Sequence, residues 1–419
     1  LRKKFAQSKH NGSFDVCVSY LYKLLLDTLL TLRRSQDKSS FLFDMIFKAK
    51  ILFERSLFDE AFYLLTKVKK EALKFDDYYI YVYAARLELN YLLFFNFTDI
   101  TERELLNKHL KINEALKLIR KTNEQSSLYE LLRHRIIYQG KSRSKSQINS
   151  LNDLVVSEMS IISSSGRETF EIKKTHQLFQ SNYLISVGDY RSALHSYYEL
   201  DKLFKENKHL WGNPPYYYLQ VIEGILDNLR GMKKYDELPY FIKILEKIKQ
   251  KPYDFQLNVD CLIFLYNLFP LLDTGNFQES HKLIKNKSIF ADKILLLNPT
   301  RQAELSLYTA LVYMGLKNYK EAHKRLLQII TRGKSFHIYP LYRTIRLVNL
   351  LIQYELSDED LIKSESRSIK REIAKDKKGY KIENLILKFI NIPKSKLLLG
   401  EREKLWNKLQ PILTGIRED

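Results

Sequence analysis

The amino-acid sequence predicts an all-α protein, an α-solenoid of stacked antiparallel helix pairs. The main observation is a six-residue pattern that recurs along the chain: a turn residue, an aromatic residue two places later and a small residue three places after that. Clear copies begin at Ser56, Gly188, Gly275 and Lys317, and a weaker copy begins at Lys233. From the second copy onward, the last positions of successive copies are 45, 42 and 42 residues apart, which is typical of stacked helical repeats.

Composition also favours helices over sheets. The chain has 13 Gly and 9 Pro in 419 residues, too few for the many turns of a β-sandwich or barrel. Residues 303–314 and 341–354 place apolar side chains three and four positions apart, the period of a helix with one buried face. Proline close to a helix start is indicated at residues 213–215 and 298–299.

The pattern has the chemistry of a tight helical hairpin. Glycine at 188 and 275 suits the left-handed conformation that ends a first helix, and the aromatic residue can then cover the turn. The small residue lies one turn into the second helix, where a larger side chain would push the two helices apart. Small residues also stand twelve positions earlier, which predicts three facing pairs: Ala49 and Ala61, Ser181 and Ala193, and Ala310 and Ala322.

These residues resemble the tetratricopeptide repeat family, whose units pair two antiparallel helices and stack into a right-handed superhelix. The resemblance is carried by Phe58, Ala61 and Leu65, by Gly188, Tyr190, Ala193 and Tyr197, and by Tyr319, Ala322 and Leu326. The units here are longer than the family's repeat of about 34 residues and lack its early tryptophan and its closing proline. The resemblance covers about residues 41–331 with gaps, and it implies a relative with longer helices.

The loss of the pattern divides the chain into three predicted regions. Residues 1–165 are expected to form an irregular helical region with one or two repeat-like hairpins, and the repeat register is lost between Ala115, in a repeat-like segment at 111–115, and Ala193. Serine-rich polar segments at 140–146 and 163–166 are expected to be loops. Residues 166–356 are expected to form a regular array, and residues 357–419 an exposed charged helix over 357–381 and a terminal capping helix over 397–416.

Cysteine usage and hydropathy favour a cytoplasmic protein without a metal or cofactor. Cys17 and Cys261 are far apart and lack CxxC spacing, which is typical of free thiols rather than of a disulfide or metal site. The most apolar run, residues 261–269, is shorter than the 18 or so residues of a membrane span and is expected to be a core helix.

No local motif predicts an enzyme. The sequence has no HExxH, GxSxG, GxxxxGK[ST] or GxGxxG, and its nine histidines do not pair at metal-ligand spacing. Acidic pairs such as Asp76-Asp77 are typical of helix starts, where the helix dipole favours them. An active site assembled from distant residues would leave no such local pattern.

The net charge of +20 leaves two interpretations open. A basic surface can attract nucleic acid, and residues 367–381 are densely basic. Helical repeats also solvate their outer faces with Lys and Glu, and the basic residues are spread along the whole chain. Repeats that read RNA use a fixed pair of side chains per unit. The corresponding positions here change chemistry from unit to unit, so sequence-specific RNA reading is not expected.

The resemblance implies that the first helix of each unit lines a groove for a peptide. In that register, Asn182 belongs to the groove from one unit, and Gln220, Glu223, Asp227 and Arg230 belong to it from the next. The last four recur at three and four positions and share one helix face, which suits either a peptide ligand or solvent. Tyr217 at the start of the same helix is a candidate aromatic anchor.

The predicted function is a non-enzymatic scaffold or adaptor that binds a protein or peptide in this groove. One alternative is a nucleic-acid-associated repeat protein that uses its basic surface. Another is a peptide-sensing regulator that joins such repeats to a DNA-binding helix-turn-helix. Residues 14–32 weaken that second alternative, because they form one long apolar segment without a short turn and a recognition helix.

Overall fold

A computed structural model describes residues 13–34, 37–139, 149, 151–163, 169–248, 252–286, 293–332, 336, 340–376, 381–392 and 399–418. Within these residues the fold is all-α, with 18 α-helices, no strand and successive helices packed as neighbouring pairs. The predicted fold class, an α-solenoid of stacked antiparallel helix pairs, is confirmed.

The helices follow one another with short connections. The first nine are α1 (Phe14–Arg34), α2 (Lys38–Glu54), α3 (Phe58–Lys74), α4 (Tyr78–Phe94), α5 (Glu102–Gln139), α6 (Asn152–Ser163), α7 (Phe170–Ser186), α8 (Tyr190–Glu206) and α9 (Tyr216–Gly231). The others are α10 (Leu238–Ile248), α11 (Tyr253–Asp273), α12 (Phe277–Asn286), α13 (Pro299–Gly315), α14 (Tyr319–Ile330), α15 (Pro340–Leu356), α16 (Glu359–Asp376), α17 (Lys381–Phe389) and α18 (Leu399–Glu418).

The chain forms two compact units. Unit 1 comprises Leu1–Leu131, Leu151–Gln180 and Tyr198–Tyr218, and unit 2 comprises Leu132–Ser150, Ser181–Tyr197 and Leu219–Asp419. The predicted loop over 140–146 and most of the one over 163–166 lie outside the described residues, as does the predicted boundary at 165. The three predicted regions therefore stay a prediction.

The first residue of every copy of the sequence pattern adopts the left-handed conformation. The φ angles are 62° at Ser56, 87° at Gly188, 58° at Lys233, 77° at Gly275 and 59° at Lys317. The next residue then donates its N–H to a carbonyl five positions back, as from Asn318 to Tyr313 over 2.9 Å. This Schellman arrangement satisfies carbonyl groups at the helix end and starts the next helix at once.

Two further turns that lead directly into a helix have the same geometry but lack the full pattern. Asp76 and Ser357 have φ angles of 53° and 64°. Asp77 and Asp358 then donate their N–H groups to carbonyls five positions back, over 2.9 and 3.2 Å. Both aspartates also cap the following helix through their side chains, so the polar capping residue and the left-handed residue suffice for the turn.

The small residues that the sequence places at helix crossings are fully buried. Each member of the three facing pairs has an exposed fraction of 0%: Ala49 and Ala61, Ser181 and Ala193, Ala310 and Ala322. Ser280, the small residue of the fourth clear copy, is equally buried. Because alanine and serine side chains are small, the two helices of a hairpin can approach closely.

The aromatic residue of a turn makes a contact that the sequence does not predict. Tyr190 packs on Gly231 at the end of α9, and Phe277 packs on Gly315 at the end of α13. A Cβ atom at these glycines would lie 3.1 Å from the Tyr190 ring and 2.4 Å from the Phe277 ring. The aromatic side chain therefore joins its own hairpin to the first helix of the next hairpin.

Helix α11 forms part of the core of unit 2. Its buried side chains include Phe255, Leu262 and Phe269, which agrees with the expected core helix. Among the described helices, α11 alone is long and apolar enough to cross a membrane, and most of it is buried in the protein.

One expectation about an individual segment is wrong, and one repeat-like segment has no hairpin turn before it. The repeat-like segment at 111–115 lies within α5, a continuous 38-residue helix. Helix α16 was expected to be exposed, yet Ile362, Ser366 and Ile369 are buried, and the two isoleucines share a cluster with residues of α15 and α17. Their spacing of four and three gives α16 one buried face, which the dense charge of the segment obscures.

Candidate functional site

Helix α9 presents the polar face that the sequence predicts. Gln220, Glu223, Asp227 and Arg230 lie along one side of the helix. The opposite side packs in the core of unit 2, where the exposed fraction is 0% for Val221, Ile222, Ile225, Leu226 and Leu229. Burial of this apolar side fixes the direction of the polar side chains.

Arg230 is held on three sides. Its guanidinium donates two hydrogen bonds to the carboxylate of Asp273 on α11, over 2.8 and 2.9 Å. It also lies 3.6 Å from the centre of the Phe269 ring and 3.4 Å from the hydroxyl of Tyr308 on α13. Burial alone would lower the pKa of Arg230, but the bonds to Asp273 raise it, so the charge is fixed.

Asp227 accepts a hydrogen bond from a buried tyrosine. The hydroxyl of Tyr266 on α11 donates to Asp227 over 2.6 Å, and the backbone carbonyl of Glu223 is 3.3 Å from the same hydroxyl. Burial raises the pKa of Tyr266 well above its usual range, and the nearby carboxylates of Asp227 and Glu223 raise it further. Tyr266 therefore stays protonated and acts as a donor.

Glu223 pairs with Arg301, whose guanidinium also donates to Glu304 over 2.6 Å. The exposed fraction of the Arg301 side chain is only 15%. Burial raises the pKa of Glu304, whereas the Glu223 and Glu304 charges hold the pKa of Arg301 above its usual range despite burial. An arginine flanked by two carboxylates makes this a tightly ordered, nearly buried charge cluster.

Side chains of α9, α11 and α13 thus meet in one continuous polar layer within unit 2. We use this name for the following set: Glu223, Asp227, Arg230, Tyr266, Asp273, Arg301, Glu304 and Tyr308. Cys261 lies among these groups, and burial raises the pKa of its thiol to about 12. The thiol is therefore protonated near neutral pH, which leaves it a poor nucleophile.

The remaining predicted groove residues have other surroundings. Gln220 shares the face of the polar layer, about one turn before Glu223. Asn182 is buried in unit 2, where it accepts a hydrogen bond from Arg133 over 2.9 Å and lies 3.5 Å from the hydroxyl of Tyr197. Tyr217 belongs to unit 1, where the ammonium of Lys174 lies 3.9 Å from the centre of its ring.

Sequence reasoning missed the half of the polar layer that α11 and α13 contribute. Arg301, Glu304 and Tyr308 recur at three and four positions, the same signal that identified the face of α9. Asp273 carries a weaker signal: an acidic residue in the last turn of a helix is unfavourable for the helix dipole unless a cation pairs with it. Arg230 supplies that cation.

The ionisable groups of the polar layer are engaged with one another. Its carboxylates accept hydrogen bonds from arginine or tyrosine, and burial raises the pKa of both Tyr266 and Tyr308. Across the described part of the chain, no group of three or more His, Cys, Asp and Glu residues is placed to hold a metal ion. What the layer offers is a fixed pattern of charge and aromatic surface.

Comparison with protein-family models, with curated proteins and with solved structures gave no significant match.

Proposed function

We propose that the protein is a non-enzymatic scaffold of helical repeats related to the tetratricopeptide repeat, and that it binds another protein or a peptide on the polar layer. The observation that carries this proposal is the fixed position of Arg230 between the Asp273 carboxylate and the rings of Phe269 and Tyr308. The two free cysteines support a reducing compartment such as the cytoplasm.

Preorganisation makes such a surface suitable for binding. Arginine and tyrosine are enriched at the energetic centres of protein interfaces, and a side chain that is already ordered loses little entropy on association. The hydrogen bonds to Asp273 order Arg230 before a partner arrives, and the partly exposed Tyr308 extends the same surface.

The Schellman turns and the small residues at helix crossings support the proposed relation to the tetratricopeptide repeat. Both features follow from close antiparallel helix pairing, which that family uses. The longer helices of this chain are then a variation in length rather than in architecture.

Nucleic-acid association is the second candidate, favoured by the net charge of +20. The polar layer itself does not favour it, since Arg230 and Arg301 are both paired with carboxylates that a phosphate would have to displace. For this reason we rank the nucleic-acid proposal below protein binding.

Site-specific photocrosslinking tests the proposal. A photoreactive amino acid at position 220, beside the polar layer, is expected to form covalent adducts with a discrete protein in a lysate of the source cells. The same amino acid at Lys247, exposed on α10, serves as the control position. Arg230→Ala in the position-220 variant should weaken the adduct. Equal adducts at 220 and 247, or adducts with RNA alone, would reject protein binding at the polar layer.

A further inference from the structure

Unit 1 contains a cleft that is separate from the polar layer. Its volume is about 770 Å³, and its lining comes from α3, α4 and α5. Such a volume falls within the usual range for ligand pockets, roughly 300–1,000 Å³. The functional site proposed above does not use any residue of this cleft.

The rim of the cleft is basic. Seven cationic side chains line the cleft against three carboxylates. The lysines among them are Lys69 and Lys70 on α3, and Lys108, Lys111, Lys117 and Lys121 on α5. Lys70, Lys111 and Lys117 are exposed, so they are accessible to an incoming anion.

The two deeper lysines share one carboxylate, which neutralises half of their charge. Glu88 on α4 is buried, and its carboxylate binds the ammonium groups of both Lys69 and Lys108, the latter over 3.1 Å. Burial is the main cause that lowers the pKa of Lys69, and the charges of Lys108 and Lys111 lower it further. The positive charge available to a ligand therefore lies mainly at the rim.

Apart from Glu88 and its two lysine partners, the floor of the cleft is apolar. Ala85 and Ala115 line it with one methyl group each, and Ile112 is also buried there. Leu73 on α3 has an exposed fraction of 42% at the same cleft. An apolar floor between basic walls complements a ligand with one apolar face and acidic flanks.

The shape of the lining favours a helical ligand. The cationic residues of α5 extend from Lys108 to Lys121, a distance of about 20 Å along the helix at 1.5 Å per residue. An extended peptide needs both donors and acceptors for its backbone groups, whereas seven of the lining side chains are cations, which donate hydrogen bonds but cannot accept them. A helix satisfies its own backbone and can lay an apolar face into such a groove.

The basic rim does not by itself favour a phosphate ligand. Arg120, the lining arginine, pairs with Glu124 over 2.8 Å, and Glu88 places a carboxylate in the floor where a polyanion would have to lie. A helix with separate acidic and apolar faces avoids that carboxylate, because its charges stay at the rim.

We infer that the cleft between α3 and α5 binds an acidic amphipathic helix of a partner protein. The apolar side chains of this helix contact Leu73 and the alanine floor, and its carboxylates pair with Lys70, Lys111 and Lys117. The inference rests on the proposed function of the protein as a binding scaffold and deepens it by giving the chemistry of a partner segment.

The test uses the full chain and a labelled synthetic helix of about 16 residues, with leucines on one face and glutamates on its flanks. Fluorescence anisotropy is expected to show saturable binding. A matched peptide with lysine in place of every glutamate should not bind. Lys111→Glu combined with Lys117→Glu should weaken binding about tenfold or more, since it reverses two exposed rim charges.

A matched control variant carries the same number of charge reversals at residues outside the cleft. Lys67 on α3 and Arg103 on α5 are exposed and do not line the cleft, so Lys67→Glu combined with Arg103→Glu should leave the affinity within about twofold of the original chain. Leu73→Ser tests the floor without a change of charge and should also weaken binding.

Three outcomes would overturn the inference: no binding of the acidic helix, equal loss in both charge-reversal variants, or unchanged binding in Leu73→Ser. Tighter binding of a single-stranded oligonucleotide or of anionic vesicles, lost in the Lys111 and Lys117 variant, would assign the cleft to phosphate instead. Crosslinks at position 220 are independent of this cleft. If they persist while the acidic helix fails to bind, only the cleft assignment is rejected.

Discussion

Ala322 of α14 has an exposed fraction of 0% and shares a buried cluster with Ala310 of α13. A phenylalanine there would overpack the crossing, so Ala322→Phe is expected to lower the free energy of unfolding by about 1–3 kcal/mol or more. Urea denaturation followed by circular dichroism measures the change. Loss of cooperativity is also expected, because stacked hairpins share interfaces with their neighbours.

Lys320 gives the matched control for Ala322. It is exposed two residues earlier on the same helix, so Lys320→Phe should change the free energy of unfolding by less than about 0.5 kcal/mol. Identical denaturation curves for the two variants would mean that the small residue does not lie at a tight crossing.

The two thiols should differ in reactivity. Cys17 is exposed on α1, whereas Cys261 is buried and has a pKa of about 12. A thiol reagent at pH 8 is expected to modify Cys17 quickly and Cys261 only after denaturation, and Cys17→Ser should abolish the fast phase. Rapid labelling of Cys261 in the folded chain would contradict its burial.

The raised pKa of Cys261 also gives stability a pH dependence. An unfolded cysteine titrates near pH 8.5, so between there and about pH 12 the folded chain binds more protons than the unfolded chain. The contribution of this thiol to stability is therefore complete below about pH 8.5 and is lost as the pH rises toward 12. Urea titrations of the original chain and Cys261→Ala across this range measure the difference.

Helix α13 ends at Gly315, where the packing of another helix leaves no space for a side chain. A Cβ atom at Gly315 would lie 2.4 Å from the ring of Phe277, the first residue of α12. Gly315→Ala is therefore expected to destabilise the protein by about 1–3 kcal/mol. The cost should shrink when Phe277→Leu is added, which a double-mutant cycle measures.

Gly415 in α18 provides the opposite case. A Cβ atom there would have no neighbour within 4 Å, so Gly415→Ala should stabilise the helix by up to about 1 kcal/mol through helix propensity alone. If both alanine variants were stabilised, the contact between Phe277 and Gly315 would be refuted.

Features decided by neighbouring residues were predictable, and features decided by distant partners were not. The turns at Gly188 and Gly275 follow from local backbone geometry, so a short pattern identified them. The polar layer depends on pairs such as Glu223 and Arg301, which are 78 residues apart. Sequence identified the polar face of α9, but nothing local indicated which helices would cover its charges.

Helix α5 shows why a local pattern can mislead. Residues 111–115 resemble the start of a second helix, but the nearest preceding left-handed residues, Asn96, Phe97 and Asp99, lie before α5 begins, and α5 runs through 111–115 as one helix of 38 residues. The small residue Ala115 instead lines the floor of the cleft in unit 1. A repeat pattern without its turn residue therefore predicts a close approach, not a hairpin.

The net charge of +20 should produce only weak contact with nucleic acid. We expect DNA or RNA to bind without sequence preference and to be released as salt rises, because the arginines of the polar layer are already paired. Filter binding at two salt concentrations, with several unrelated sequences, measures this. Submicromolar binding of one preferred sequence at moderate salt would instead favour the nucleic-acid alternative.

Five of the left-handed turn residues described above are not glycine: Ser56, Asp76, Lys233, Lys317 and Ser357. A residue with a side chain costs about 1–2 kcal/mol in this conformation. Replacing it with glycine removes this cost but adds the larger entropy that glycine loses on folding, so only part of the cost is recovered. The residue at each turn therefore adjusts the stability of one hairpin. Lys317→Gly should slow amide hydrogen exchange in α13 and α14 more than in distant helices, so that a series of such variants would reveal how strongly each hairpin's opening depends on its neighbours.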